Sequence, residues 1–450
     1  MRKDSKMNAS RHFVRALQFL IPGIFLLLAT PARSQAQFLV VDCSGTNPYA
    51  YSSINAALPN AGPGAFILVS GTCNESVALG SRSNLNLGAF YGQTATINGN
   101  LSINNSQNIY LYGLTVTNGS GDGISVGSST SVVLDSCSTV GNAGVGLVVG
   151  GMSEVSVNAT GTFDYNARGG MNIGGNSYVQ VVAWSGVVDI SNNGGPGVYA
   201  SQGNFTTLGS TTVANNLAGA GSNSGFGIDL RGGAHVQFGA IFGPNHVSGN
   251  QSGGAWLQET AEISFFSIGQ PNIIQGNGPV GVLVGFGSQA TFANIGAGLG
   301  AQISGHTSAG LDLYANSQAY LFGSGNVVQG NGSSTDPRSA GIRVDGNSET
   351  FVRGGQISGN SGPGVLVLVN SSADFSGVSF SGNTGIISCD SSSTMVSDLA
   401  GPNSTPPAGV ACRTPHGLGG RQITKTQPTV PDWSAQKAQH DRYAKLAVKH

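Results

Sequence analysis

Apolar residues recur along this chain in pairs two positions apart, and each pair follows a glycine. Ten copies open at Gly123, Gly146, Gly170, Gly197, Gly227, Gly254, Gly281, Gly310, Gly341 and Gly364, with a fainter one at Gly385 and intervals of 21 to 31 residues. One past each glycine the column runs from Ile124, Leu147 and Met171 to Ile342 and Val365, and three past it runs from Val126 and Val149 to Val344 and Val367. Eleven past, it includes Leu134, Val157, Val181, Leu208, Phe238, Phe265, Phe292 and Leu321. Every member of the three columns is apolar, and seven past is always small or polar, as at Ser153, Ser177, Ser288 and Ser348.

A spacing of two predicts strands, because alternate strand residues share a face whereas helices repeat at three to four. Each copy reads as three short strands; in the Gly341 copy they are Ile342–Val344, Thr350–Val352 and Gln356–Ser358. The glycines are read as turns, and the asparagines of turns such as Gly359-Asn360-Ser361 are expected there for left-handed backbone angles. A long repeat with an apolar column predicts a solenoid, in which stacking buries what one copy cannot. Rungs about 4.8 Å apart would place Phe238, Phe265 and Phe292 over one another inside. The Leu-Asn consensus of a leucine-rich repeat is missing.

Residues 38 to 412 resemble the right-handed parallel β-helix repeat proteins of the pectate-lyase-like superfamily. The resemblance rests on the G-[IV]-x-[VL] strand and on the turns Ser248-Gly249-Asn250, Ser358-Gly359-Asn360 and Ser381-Gly382-Asn383. It rests also on a leading segment, Tyr51 to Leu58, Phe66 to Val69 and Gly71 to Val77, similar to the family's N-terminal capping helix and first strand. It implies an all-β, single-stranded right-handed parallel β-helix with a short N-terminal capping helix. The fold hosts many functions, so it implies no single reaction. The motifs of polygalacturonases and pectin methylesterases are missing. No carboxylate cluster offers the roughly six to eight oxygens that calcium takes, so no cofactor is expected and calcium enters by family analogy alone.

Composition adds bounds. Glycine supplies 71 of 450 residues and charged residues only 9%, with a net charge of −1 that predicts no broad attraction to nucleic acid or membrane. Arg2, Lys3, Lys6, Arg11 and Arg15 precede an apolar run, Ala16 to Ala29, and the small-residue site Ser34-Gln35-Ala36. This predicts an export signal over 1–36 and a secreted, cell-surface or periplasmic location, with no membrane span once it is removed. The rest divides into an N-terminal cap with first rungs (37–95), the coil (96–412) and a disordered or weakly helical basic tail (413–450). Five cysteines fit an exported chain. Cys43 with Cys73 and Cys389 with Cys412 are placed to staple the two ends, leaving Cys137 as a free thiol.

Alternation also assigns the outward side chains of the first strand, two and four past each glycine. The early rungs are bland, with Ser125, Val148 and Asn172. Later rungs carry Tyr199, Asp229, Arg231, Trp256, Gln258, Asp312, Tyr314, Arg343 and Asp345. Aromatic rings stack on sugar faces, and charged groups bind hydroxyls or uronate carboxylates. Tyr199, Asp229, Arg231, Trp256, Gln258 and Tyr314 are therefore the expected binding residues for an extracellular polysaccharide. Asp312 and Asp345 lie on adjacent rungs at roughly 8 Å by rung spacing and strand rise, within the range of an inverting glycosidase pair. With Arg343 they are the candidate catalytic group of a glycoside hydrolase or polysaccharide lyase. Against this, Asp312 lies near Arg343 on the next rung and Asp229 lies two residues from Arg231, and ion pairs on an exposed sheet are ordinary. Two readings stay open: a secreted protein that binds, or binds and cleaves, an extracellular polysaccharide, and a non-catalytic adhesin-like or structural surface protein.

Overall fold

The computed structural model describes residues 37–219, 224–295 and 298–397. Over these the chain winds as an all-β parallel solenoid of about 14 turns with one short helix near its start. The first sheet has 13 strands among the described residues, from Val77–Gly80 to Gly385–Cys389, and holds all the glycine-led ones. The second runs from Phe38–Asp42 to Thr394–Ser397, and the third from the end of Phe66–Cys73 to Ser379–Ser381. Second and third are continuous where long strands such as Ser131–Val140 and Glu154–Asp164 turn the corner. The expected export signal, Cys412 and the tail 413–450 lie outside the described residues.

The columns stack in the expected register. Leu147 pairs with Met171, Met171 with Val198, and Leu311 with Ile342. The strands of the Gly341 copy are Ala340–Val344, Glu349–Arg353 and Gln356–Ser358. Phe238, Phe265 and Phe292 lie buried on the axis with successive ring centroids 5.2 Å apart. One copy departs from the eleven-past rule: Thr207, not Leu208, pairs with Val181 and Phe238. Its turn is one residue shorter, and Phe205 joins the ring stack instead, 5.8 Å from Phe238.

A polar spine accompanies the rings. Asn142, Asn166, Asn193, Asn216, Asn250, Asn277, Asn331 and Asn360 are each at most 1% exposed. Each carboxamide bridges rungs: Asn250 Oδ1 accepts from Asn216 N (3.1 Å) and Asn216 Nδ2 (2.9 Å), while Asn250 Nδ2 donates to Val213 O (3.0 Å) and Asn277 Oδ1 (2.8 Å). A buried amide left unpaired would cost about 1–3 kcal/mol, so the ladder is self-consistent only when continuous. The left-handed angle falls on the residue before the asparagine, as at Gly359 (φ 60°) and Tyr165 (φ 55°). The ladder asparagines are thus present for their side chains, which corrects the expectation from turn geometry.

The leading glycines are corrected in the same way: they open strands and are not turns. A Cβ on Gly227 would lie 2.6 Å from Asn250 Nδ2 and 2.8 Å from Gly254 O. On Gly341 it would lie 2.7 Å from Asn360 Nδ2 and 2.6 Å from Gly364 O. The ladder amide of the following turn fills the space a side chain would need. The seven-past serines make a second ladder, since Ser153 N donates to Ser177 Oγ (3.1 Å) and Ser348 N to Ser371 Oγ (3.2 Å).

The N-terminal end is closed by the helix Ile54–Ala57, continued by a 3-10 turn over Leu58–Asn60. Ser53 Oγ accepts from Ala56 N, and the Glu75 carboxylate takes the N–H groups of Ile54 (2.6 Å) and Asn55 (3.1 Å), donors that a helix start leaves open. A Cys43–Cys73 disulfide ties this cap, as expected. Cys389 is disulfide-bonded, and Cys137 is a buried free thiol whose pKa burial pushes up to about 12.

Two predictions follow from the spine. Gly341→Ala should lower unfolding stability by about 1–3 kcal/mol, the range for overpacking. Gly150→Ala, where a Cβ meets nothing within 4 Å, should be nearly neutral in the same denaturant titration. His306 replaces one ladder asparagine, with Nδ1 3.2 Å from Asn277 O and Nε2 3.1 Å from Ile274 O. A neutral imidazole has one N–H for these two acceptors. Burial holds its pKa below the ordinary 6.5, against the pull of both carbonyls. The unfolded chain therefore binds this proton more readily, and stability falls as pH drops through about 6.5. His306→Asn should shrink the loss of melting temperature between pH 7 and 5; an identical loss in both proteins would contradict this.

Candidate functional site

The outer face of the first sheet carries the predicted residues because strand alternation turns them away from the core. Register sets Tyr199, Asp229, Trp256, Leu283, Asp312 and Arg343 in one column across successive rungs. The structure gathers them into two groups. In the first, Asp229 is 1% exposed and Arg231 grips it with Nε–Oδ1 3.1 Å and Nη2–Oδ2 3.0 Å. The same guanidinium lies 5.7 Å from the Tyr199 ring centroid and 5.5 Å from that of Trp256, within cation–π range. Trp256 packs on Phe226 (5.3 Å) and its Nε1 donates to the Tyr314 hydroxyl (3.3 Å). Tyr314 in turn meets Phe286 edge-on (5.2 Å), and Phe286 is 53% exposed.

Tyr314 reaches Trp256 across an intervening rung, and Gly285 permits this. A Cβ there would fall 2.3 Å from Tyr314 Cζ. The result is a half-buried row of rings with one guanidinium inserted. Gln258, on the Trp256 strand's end, has a buried Nε2 with no acceptor among the described residues.

In the second group Arg343 holds both oxygens of Asp312: Nε donates to Oδ1 at 2.7 Å and Nη2 to Oδ2. Asp312 is 5% exposed, and burial pushes its pKa up against the pull of Arg343. In both pairs the aspartate is buried while its arginine stays partly exposed, so the expectation of pairs on an exposed sheet is corrected for the carboxylates. Asp345 lies on the adjacent rung, half-buried, with no ion-pair partner among the described residues.

The early rungs are not bland. A pocket of about 380 Å³ opens there, lined on its polar side by Asp122, Arg168, Asn172 and Tyr199 and on its apolar side by Val148, Met171 and Pro196. Asp122 Oδ1 accepts from Val145 N (2.8 Å), and Arg168 is exposed with no carboxylate partner among the described residues. Of these only Tyr199 was expected in a site. Asp122 and Arg168 precede their glycines by one and two residues, beyond the alternating positions that direct attention to a face. Cys43, Cys73 and Glu75 are the one group of three metal-ligand types gathered among the described residues, but the cysteines are bonded to each other and Glu75 caps the helix.

No family model and no curated protein matches the chain. Among solved structures it is similar to the A-module of mannuronan C-5 epimerase AlgE6 of Azotobacter vinelandii, at 17% identity and TM-score 0.40, covering 77% of this chain and 93% of that one. It is similar to the AlgE4 A-module of the same organism at 15% identity and TM-score 0.39, covering 79% and 93%. A third is pectate lyase Pel9A, at 15% identity and TM-score 0.29, covering 79% and 80%. Superpositions this loose carry no weight for chemistry, which has to come from the side chains.

Gly285→Ala should dislodge Tyr314 and change the tryptophan emission of the folded protein while leaving its far-ultraviolet circular dichroism intact. Arg343→Gln should cost about 3–5 kcal/mol by stranding the buried Asp312 carboxylate; a loss below 1 kcal/mol in chemical denaturation would show that the pair is solvated.

Proposed function

We propose that this chain is exported and binds an extracellular polysaccharide along the outer face of its first sheet. The observation that supports this is the row Tyr199, Arg231, Trp256, Tyr314 and Phe286, half-buried to exposed and locked by ring, cation–π and hydrogen-bond contacts. From the Gly197 rung to the Gly310 rung it extends roughly 19 Å at about 4.8 Å per rung, enough for several sugar units. Such rings offer apolar faces to pyranoses with little loss of side-chain freedom, because each is already fixed by its neighbours. The pocket at the early end adds the Arg168 guanidinium, which favours a polymer with acidic groups.

Binding is favoured over cleavage by the state of Asp312. A general acid or base needs an oxygen within reach of substrate, and both of its oxygens are engaged by Arg343. The same observation favours a non-catalytic, adhesin-like rod as the second reading, with Asp345 left as the one carboxylate of the candidate pair open to solvent chemistry.

On an array of neutral and acidic glycans the wild-type protein should bind at least one acidic polymer. Trp256→Ala should weaken that binding roughly tenfold, and Arg168→Gln should remove the preference for acidic over neutral chains. Absence of binding by the wild type to every glycan would sink the proposal. Product release from a bound polymer that is abolished by Asp345→Asn would instead establish cleavage.

A further inference from the structure

The pocket on the early rungs carries charges of both signs that do not meet. Gly144 N donates to Gly121 O (2.8 Å) and Arg168 N to Gly144 O (3.0 Å), so the Asp122 and Arg168 backbones stand two rungs apart, about 10 Å. The Asp122 carboxylate is held in place, since its Oδ1 accepts from Val145 N at 2.8 Å. Gly144 leaves room for it: a Cβ there would lie 2.3 Å from that oxygen. Asp122 Oδ2 has no hydrogen-bond partner among the described residues, and the Arg168 side chain has neither hydrogen bond nor ion pair among them. Both groups line the cavity of about 380 Å³ together with Met171, Asn172 and Tyr199. Tyr199 joins this cavity to the row of rings, because the Arg231 guanidinium lies 5.7 Å from its ring centroid.

We infer that this pocket takes neighbouring uronate and amino-sugar units whose amine is free and protonated, with the carboxylate on Arg168 and the ammonium on Asp122. The inference rests on the polysaccharide-binding reading above and narrows its substrate class. Arg168 offers charge-assisted hydrogen bonds to a carboxylate, and Asp122 Oδ2 accepts from an ammonium. A chain of uronates alone would set its repeated negative charge beside the Asp122 carboxylate, where like charges repel. A chain of amino sugars alone would set ammonium groups beside the Arg168 guanidinium. A chain that alternates the two satisfies both, and the two-rung offset between Asp122 and Arg168 then fixes its register on the face. Met171 and Tyr199 supply apolar contact for the ring faces, as small-ligand pockets with few polar groups do.

The test is calorimetric titration of the full chain at about pH 6, where the amine is charged. The ligands are oligosaccharides of equal length: alternating glucuronate and glucosamine with the amine free, the same chain N-acetylated, glucuronate alone and glucosamine alone. The free-amine alternating chain should bind roughly tenfold more tightly than its N-acetylated form, the worth of one hydrogen bond to a charged group. Asp122→Asn keeps an oxygen for Val145 N and should erase that preference, while uronate-containing chains still bind better than glucosamine alone. Arg168→Gln should erase the second preference and keep the first. Equal affinity for the free-amine and N-acetylated chains, or a preference that survives Asp122→Asn, would overturn the inference. If those two chains bind equally and Trp256→Ala weakens both, the polysaccharide reading stands without this refinement; absence of binding by every chain removes both.

Discussion

The side-chain amide at the end of each turn is the constraint on which the rest of this coil depends. It is buried, it hydrogen-bonds the same amide above and below, and it lies where a Cβ on the leading glycine of its own copy would be. One requirement therefore fixes two residues per turn. The asparagine is needed because only a carboxamide can accept from one rung and donate to another in the same plane. The glycine is needed because the amide has taken its space. Every break in one column is felt by the other, which is why His306, the one imidazole among the described ladder positions, still faces a glycine: a Cβ on Gly281 would lie 2.7 Å from its Nε2.

This rigid inner arrangement frees the outer faces. Their side chains lie outside the ladder and the apolar columns, so they can be chosen for contacts with one another. On the first sheet they close on one another: arginines clasp aspartates at the surface of the strand and present rings outward. A guanidinium engaged to a carboxylate and flanked by two rings is fixed in orientation, and a fixed surface loses less freedom on meeting a ligand than a mobile one. On the second sheet the outward aromatic residues Tyr320, Phe322 and Phe351 are buried instead.

Much of the fold was legible in the sequence because burial imposes alternation. The three apolar columns, the Gln356–Ser358 strand, the phenylalanine stack and the Cys43–Cys73 staple are all direct consequences of spacing. The spine was harder to see, since asparagine and glycine also mark ordinary turns. Its signal was nonetheless present: Asn142, Asn166, Asn193, Asn250, Asn277 and Asn360 each stand four residues before a leading glycine, and insertions displace only Asn216 and Asn331 from that rule. The one-residue deletion after Ala200 hid Phe205 behind Leu208. Outward positions were predicted correctly, but not what lies between them. Whether Asp312 is open or clasped by Arg343, and whether Tyr314 crosses a rung to Trp256, depends on side-chain paths that alternation does not encode. The early pocket was missed because Asp122 and Arg168 sit before their strands.

The central claim is that the glycine column and the asparagine ladder are one interaction. A double-mutant cycle on Gly227 and Asn250, read by equilibrium unfolding, tests it most directly. If the amide fills the missing Cβ, removing it makes room, and the combined loss for Gly227→Ala with Asn250→Ala falls short of the sum of the single losses by about 1 kcal/mol or more. Strictly additive losses would show that the two columns recur together without acting on each other, and would contradict this account of the fold.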